Sequence, residues 1–268
     1  MANTNSDGRL VALNELKLKL AEHQKLAKAK NIFDDAWLTG FLNGTKYDVD
    51  GAIKCLEQFI YIRTKKYRQF SVKYMNPLTL TALDVGCIRT LKYSDEKGRR
   101  IGVGQFTFWD ASKYNAYEVL AECVLHMDES MRSYLTGSVG NECIVILDLA
   151  GLGIQHIRQG TPSKIVQYFD FFLNNIPVRI AGIHLLNMCT LGKFFLSVCK
   201  RCLKEKLRSR IYIHNDLESF HGLIPTSALP LSLGGDLNGE DAYENEFVSR
   251  IRGQQTFYKR IADLAMNS

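Results

Sequence analysis

Residues 177–214 read PVRIAGIHLLNMCTLGKFFLSVCKRCLKEKLRSRIYIH, and this stretch predicts a strand, a helix and a second strand. Residues 179–187 form an apolar run that is typical of a strand buried on both faces. From Leu191 the apolar residues recur at helical spacing and make one continuous stripe: Leu191, Phe194, Phe195, Val198, Cys199, Cys202 and Leu203. Residues 210–214 are the second strand. Strands joined by a helix indicate an α/β sheet with crossover helices.

Basic side chains surround the apolar stripe of this helix. Those beside it or just after it are Lys193, Lys200, Arg201, Lys204, Lys206, Arg208 and Arg210. Such a helix can cover an apolar ligand while its basic side meets an anionic surface. Taken alone, the pattern favours an ordinary crossover helix with a solvated basic face, and both interpretations stay open at this point.

The rest of the chain divides into a helical part and an α/β part. Further elements are predicted over 10–30, 33–43, 49–70, 116–135, 162–174 and 241–265 as helices, and over 101–108 and 143–149 as strands. Pro77 ends the helical pattern of the basic N-terminal region. We therefore expect a helical unit over 10–75, an α/β domain over 76–240 and a C-terminal helix over 241–268.

Composition narrows the class of protein. The chain has 268 residues, 46% of them hydrophobic, and a net charge of +6, which fits phosphates of lipid or nucleic acid without choosing between them. It shows no apolar run long enough for a membrane span and no secretory signal pattern. The seven cysteines are scattered, as in a reduced cytosolic protein. We expect a cytoplasmic location.

Catalytic and metal-binding patterns are weak. Gly151 and Gly153 follow a strand as in a dinucleotide loop, but His156 stands where the third glycine is needed. The single C-x-x-C, Cys199 to Cys202, has no partner pair for zinc. Asp128 and Glu129 are adjacent and point apart on a helix. We therefore predict a binding protein without cofactor or metal; an NAD(P)-dependent enzyme built on Asp148 and the two glycines is the less favoured alternative.

Several motifs, taken in order, resemble the CRAL-TRIO lipid-transfer family, in the animal branch that includes the tocopherol and retinaldehyde carriers. They are DDAWLTGFL (34–42), KYDVDGA (46–52), GRRIGV (98–103), ILDLAG (146–151), PVRIAGIHLLN (177–187), EKLRSRI (205–211), and LP (229–230) through GG (234–235). The resemblance covers about residues 12–250. It implies a helical cap and a mixed, mainly parallel sheet, with flanking helices that enclose a hydrophobic cavity under a gate helix.

The resemblance also implies a function. We expect a carrier that binds one tocopherol, retinoid, carotenoid or similar lipid and exchanges it at phosphoinositide-containing membranes, as a peripheral monomer without nucleic-acid partners. The implied membrane or phosphoinositide contacts are Lys200, Arg201, Lys204, Arg208 and Arg210. A phosphoinositide-reading adaptor that performs no transfer is the main alternative.

The implied cavity needs apolar walls and a few polar contacts. The predicted walls are Phe106, Phe108, Leu120, Val124, Met127, Leu147, Tyr168, Phe169, Phe172, Ile183, Leu185, Phe194, Phe195 and Val198. The predicted polar contacts are Cys123, Ser130 and Asn187. The gate, over 191–203, departs from the family pattern because Asn187-Met188-Cys189 replaces Asn-x-Pro and Arg201 replaces a second proline. We expect a longer and straighter gate.

Overall fold

The computed structural model describes residues 3–133, 142–173, 176–203 and 205–267. The helices are Asn3–Glu22 (α1), Asp35–Gly44 (α2), Val49–Tyr61 (α3), Arg68–Tyr74 (α4), Ala116–Ser133 (α5), Ile154–Gln159 (α6), Pro162–Leu173 (α7), Thr190–Cys202 (α8), Glu205–Arg208 (α9), Leu217–His221 (α10), Gly239–Ala242 (α11), Phe247–Gly253 (α12) and Gln255–Met266 (α13). The strands are Ile88–Thr90 (β1), Arg100–Gln105 (β2), Glu142–Asp148 (β3), Arg179–Leu186 (β4) and Ile211–Ile213 (β5). A π-helical segment, Ile62–Lys66, joins α3 to α4.

The strands described form one sheet in the order β1-β2-β3-β4-β5. β1 is antiparallel to β2, and each later neighbour is parallel. Helices connect the parallel strands: α5 from β2 to β3, α6 and α7 from β3 to β4, and α8 and α9 from β4 to β5. The prediction of a mixed, mainly parallel α/β sheet is confirmed.

Alternation along the strands gives the sheet two different faces. Ile101, Val103, Ile144 and Ile146 lie on one face, in a core with Phe220 and the segments that follow β5. The opposite face carries Gly102, Gly104, Val145, Leu147, Ile183 and Leu185 and lies toward α5, α7 and α8. The central strands are mainly apolar between their ends because both of their faces are covered.

The N-terminal helices and the C-terminal helix share one hydrophobic core. Trp37 and Phe257 stack with ring centroids 4.0 Å apart, and Phe33, Phe41 and Phe59 pack edge-on around them. The same core includes residues of α5 and α7. Asp34 and Asp48 cap α2 and α3, since each carboxylate accepts a hydrogen bond from a backbone N–H of the first turn. The domain boundaries at 75 and 240 stay predictions.

A buried ion pair joins the helical unit to α5. Nη2 of Arg63, in the π-helical segment, lies 2.8 Å from Oδ1 of Asp128, and both side chains are fully buried. The Tyr258 hydroxyl donates to Asp128 Oδ2 at 3.2 Å, and the Arg63 guanidinium lies over the Phe59 ring. Asp128 therefore has a structural partner on each side.

The prediction of one C-terminal helix over 241–265 is wrong. After α11 the chain becomes extended: the Lys92 N–H donates to the Ala242 carbonyl, and the Glu244 N–H donates to the Thr90 carbonyl. Tyr243 thereby forms a bridge to Leu91. Pairing with the end of β1 replaces helical hydrogen bonds here, so regular helix resumes only in α12 and α13.

Candidate functional site

A cavity of about 380 Å³ lies between one face of the sheet and helices α5, α7 and α8. Its walls are mainly aliphatic and aromatic. This volume lies in the range of small-molecule sites, which are concave and mostly apolar with a few polar groups.

Two glycines of β2 help to keep this space open. Gly102 and Gly104 face the cavity in register with Val145 and Leu147. A Cβ at Gly104 would lie 2.8 Å from Leu147 Cδ2, whereas a Cβ at Gly102 would meet nothing nearer than the Ile144 carbonyl oxygen at 4.0 Å. The floor of the cavity is therefore bare backbone at Gly102.

Most of the predicted wall residues line the cavity. They are Phe106, Leu120, Met127, Leu147, Tyr168, Phe169, Phe172, Ile183, Leu185 and Phe195, with Cys123 and Ser130 among the predicted polar contacts. Phe195 also packs over Gly160, where a Cβ would lie 2.8 Å from its ring. This contact holds α8 against the segment that follows α6.

Three predicted wall residues on other faces of their helices lie outside the lining. Phe194 is 66% exposed, and Val198 is half-buried but does not border the cavity. Leu196 and Cys199 border it instead, so the inner face of α8 is rotated about one residue from the predicted centre of the stripe. Val124 is fully buried on the side of α5 that joins the helical core.

Phe108 and Asn187 also lie outside the lining. Phe108 is 42% exposed, and the Arg89 guanidinium carbon lies 5.1 Å from its ring centroid. Asn187 has a left-handed backbone conformation, with φ 53°, and its Nδ2 donates to Asp148 Oδ1 at 2.7 Å. Asparagine tolerates this conformation better than most residues. Asn187 therefore turns the chain from β4 into α8 rather than contacting the cavity.

The glycine-rich segment after β3 has a structural explanation. Gly151 has φ 84°, and a Cβ there would lie 3.1 Å from Thr107 Cα. The turn thus needs glycine for its backbone conformation and for its close approach to Thr107. The Asp148 carboxylate is occupied by Asn187 and by the Ala150 N–H at 3.1 Å.

Most polar groups of the lining are neutral or paired, and the Lys164 ammonium lies over the Tyr117 ring. Burial raises the pKa of Cys87 and of Cys143 to about 12, so both thiols stay protonated. The Cys123 thiol is hydrogen-bonded to the Tyr168 hydroxyl. Burial lowers the pKa of His126 to about 4, so its ring is neutral at pH 7. Within the described residues no group of three or more His, Cys, Asp or Glu side chains is arranged to hold a metal ion.

The predicted basic contacts differ in availability. Arg201 and Arg208 are exposed and Lys200 is half-buried; none of the three forms an ion pair with a described residue. Arg210 donates through Nη1 to the Ile180 carbonyl, so it braces β4. Lys204 lies outside the described residues.

In the described part of the chain, every helix falls short of the length and apolar character that a bilayer crossing requires.

Sequence reasoning missed some of the lining, including Trp109, His126, Leu152, Met188 and Leu196. For His126 a signal was present. It lies between Cys123 and Ser130 at helical spacing, on the same face of α5.

Comparisons with known proteins agree with this architecture. The family model of the CRAL/TRIO domain matches residues 85–235. Clavesin-2 of Homo sapiens is 30% identical over 206 residues, which are 76% of this chain and 62% of that protein. The alpha-tocopherol transfer protein-like protein of Homo sapiens is 26% identical over 229 residues, covering 81% of this chain and 66% of the relative. The chain thus spans about three fifths of the length of clavesin-2.

Among solved structures, the crystal structure of Sfh5 matches with a TM-score of 0.58 and 12% identity, over 93% of this chain and 97% of that chain. At this identity the likeness is one of fold. It extends beyond the CRAL/TRIO match into both terminal regions.

Proposed function

This chain belongs to the CRAL/TRIO domain family, and from that premise we propose that it carries one hydrophobic molecule in its cavity and exchanges it at anionic membranes. The observation that carries the proposal is the apolar cavity of about 380 Å³ under α8. A ligand gains roughly 25 cal/mol for each Å² of apolar surface that it removes from water.

The apolar lining supports a bound ligand. Water in a space bordered mainly by aliphatic and aromatic side chains finds few hydrogen-bond partners, so an apolar molecule that displaces it is favoured. We infer that an apolar molecule occupies the space. One relative is named for tocopherol transfer, which supports a tocopherol, retinoid, carotenoid or similar lipid.

The surface around α8 supports exchange at membranes. Phe194 is exposed on the outer side of α8, and Lys200, Arg201 and Arg208 provide positive charge toward its C-terminal end and beyond. An exposed aromatic ring can enter the interfacial region while each cation contributes about 1 kcal/mol near an anionic surface. We propose α8, which follows the turn at Asn187, as the gate and phosphoinositide headgroups as the anionic partner.

Two measurements test the carrier. Native mass spectrometry of the purified chain should show a 1:1 complex with an extractable lipid, and loaded vesicles should pass that lipid to acceptor vesicles through the protein. A folded protein that is empty and takes up nothing contradicts the proposal. Saturable phosphoinositide binding without transfer would instead favour an adaptor.

A charge reversal tests the membrane surface. Changing Lys200, Arg201 and Arg208 together to Glu should weaken binding to anionic vesicles by on the order of 100-fold, since three cations are lost near the surface. The matched control reverses three exposed lysines of the helical unit, Lys28, Lys30 and Lys65. Equal losses in both triple variants would show that overall charge, not this surface, drives binding. Vesicles with phosphatidylserine in place of a phosphoinositide distinguish the headgroups.

A further inference from the structure

The buried imidazole of His126 offers the cavity a hydrogen-bond acceptor. His126 lies on α5, borders the cavity and stacks on Phe247 with centroids 5.3 Å apart. Its Nδ1 lies 3.0 Å from the backbone oxygen of Glu122. A carbonyl oxygen only accepts, so Nδ1 must carry the hydrogen. In the neutral ring Nε2 is then a bare acceptor, and no described residue donates to it.

Two hydroxyl groups share this part of the lining. Glu122 Oε1 accepts a hydrogen bond from the Ile88 N–H at 2.9 Å, which sets α5 beside β1. Both elements run against β2, hence in the same direction. The four residues of helix from Glu122 to His126 rise about 6 Å, and the two residues of strand from Ile88 to Thr90 rise about 6.6 Å, so His126 comes level with Thr90. Ser130 lies one turn further along the same face of α5.

The hydroxyls of Thr90 and Ser130 border the cavity and form no side-chain hydrogen bond within the described residues. Arg100, two residues before Gly102 on β2 and paired with Glu244, also borders this end. The opposite end of the cavity, toward the carboxyl ends of the strands, is lined mainly by Phe106, Leu152 and Phe195. Gln105 and Lys164 border it too, but Gln105 Oε1 accepts from Arg89 and the Lys164 ammonium lies over the Tyr117 ring. The imidazole and the two hydroxyls therefore lie together at one end of the cavity. Burying polar groups without partners is unfavourable, so a ligand that satisfies them is selected.

We propose that the cavity selects a lipid alcohol or phenol and binds it hydroxyl first, with Nε2 of His126 accepting the hydrogen of the ligand's hydroxyl group. The oxygen of that group then accepts from Thr90 or Ser130. Esters, ethers, aldehydes and hydrocarbons have no hydrogen to donate to Nε2. This inference rests on the carrier function proposed above and specifies its ligand class.

The test compares ligands that differ only at the hydroxyl group. Delipidated full-length protein is titrated with retinol and retinyl methyl ether, and with hexadecanol and hexadecyl methyl ether, by displacement of a fluorescent apolar probe. One additional buried hydrogen bond predicts that each alcohol binds about 5- to 10-fold more tightly than its ether. In His126→Phe, which keeps an aromatic ring against Phe247, this ratio should fall to about 1 while ether binding stays within about twofold.

Matched variants complete the design. Met127→Leu, at the next residue of α5 and also in the lining, should leave the alcohol-to-ether ratio unchanged even where it alters the affinity for both ligands. Ser130→Ala should weaken alcohol and ether alike, because the oxygen of either ligand accepts from its hydroxyl. Should His126→Phe fail to fold, the wild-type ratio still decides the matter. Equal binding of alcohol and ether by the wild type overturns the hydroxyl selection and leaves the carrier standing. A folded protein that binds neither member of either pair contradicts the carrier itself.

Discussion

Replacing Gly102 by valine measures how much free space lies above the sheet. A Cβ at this position would meet only the Ile144 carbonyl oxygen, at 4.0 Å, so the added carbons enter the cavity. Each buried methylene contributes about 0.8 kcal/mol, and replacing glycine within a strand adds about 0.5–1 kcal/mol. The ligand-free protein should therefore become more stable by about 1–3 kcal/mol, with a Tm increase of about 2–4 °C per kcal/mol. Ligand affinity should fall about tenfold or more, because valine occupies the ligand's space.

Gly104→Val is the matched control for this experiment. It introduces the same side chain on the same strand and face, where a Cβ would lie 2.8 Å from Leu147 Cδ2 and 3.3 Å from Ile88 Cδ1. The Leu147 and Ile88 side chains must shift to admit the valine, so Gly104→Val should be less stable than Gly102→Val by about 1 kcal/mol or more. Urea and thermal unfolding of delipidated proteins give the stabilities, since bound lipid would mask them, and probe displacement gives the affinities. If Gly102→Val is destabilised as much as Gly104→Val, or binds ligand like the wild type, the account of a hollow floor is refuted.

Two further predictions concern stability. Burial lowers the pKa of His126 and of His184 to about 4. Below pH 6.5 the unfolded chain therefore binds protons that the folded chain does not. As the pH decreases toward 4, the free energy of unfolding should fall by up to about 1.4 kcal/mol per pH unit for each histidine. Urea unfolding at pH 7 and pH 5 measures this loss of stability. His184→Gln should reduce the dependence of the free energy of unfolding on pH. A free energy that does not change between the two pH values would contradict the lowered pKa of the two histidines. Arg63→Met should cost about 3–5 kcal/mol because Asp128 stays buried without its partner. The double variant with Asp128→Leu should recover most of that loss, and a loss below about 1 kcal/mol in the single variant would argue against a fully desolvated pair.

The sequence predicted the central part of the fold well, for a physical reason. Strands covered on both faces are mainly apolar, so 143–149 and 179–187 stand out and coincide closely with β3 and β4. Capping is also local, and Asp34 and Asp48 cap their helices as the pattern of a polar residue before an apolar helix suggests.

The cavity was harder to predict, because it depends on distances between elements. The apolar stripe of α8 is wider than the surface that borders the cavity, and its pattern could not show that Leu196 faces inward and Phe194 outward. Gly102 shapes the floor by lacking a side chain, which no hydropathy pattern registers. Asn187 was predicted as a polar contact of the cavity because a polar residue follows the apolar strand. Its left-handed backbone conformation instead places it in the turn from β4 to α8.

Other features required tertiary contacts. β1 is three residues long, and Tyr243 bridges to the residue after it across a long stretch of chain. Arg210 looks like a free basic residue in the sequence, yet it donates to a carbonyl at the start of β4. Such pairings are non-local, so a single sequence read by its local patterns does not contain them.

The stacking of Trp37 on Phe257 sets an order of events during synthesis. At about 5–20 residues per second, a ribosome takes roughly 10–40 seconds to proceed from the first of these rings to the second. Until α13 has been made, the face of Trp37 that stacks on Phe257 lacks this partner. We therefore expect the core of the helical unit to be completed only after α13 has emerged from the ribosome.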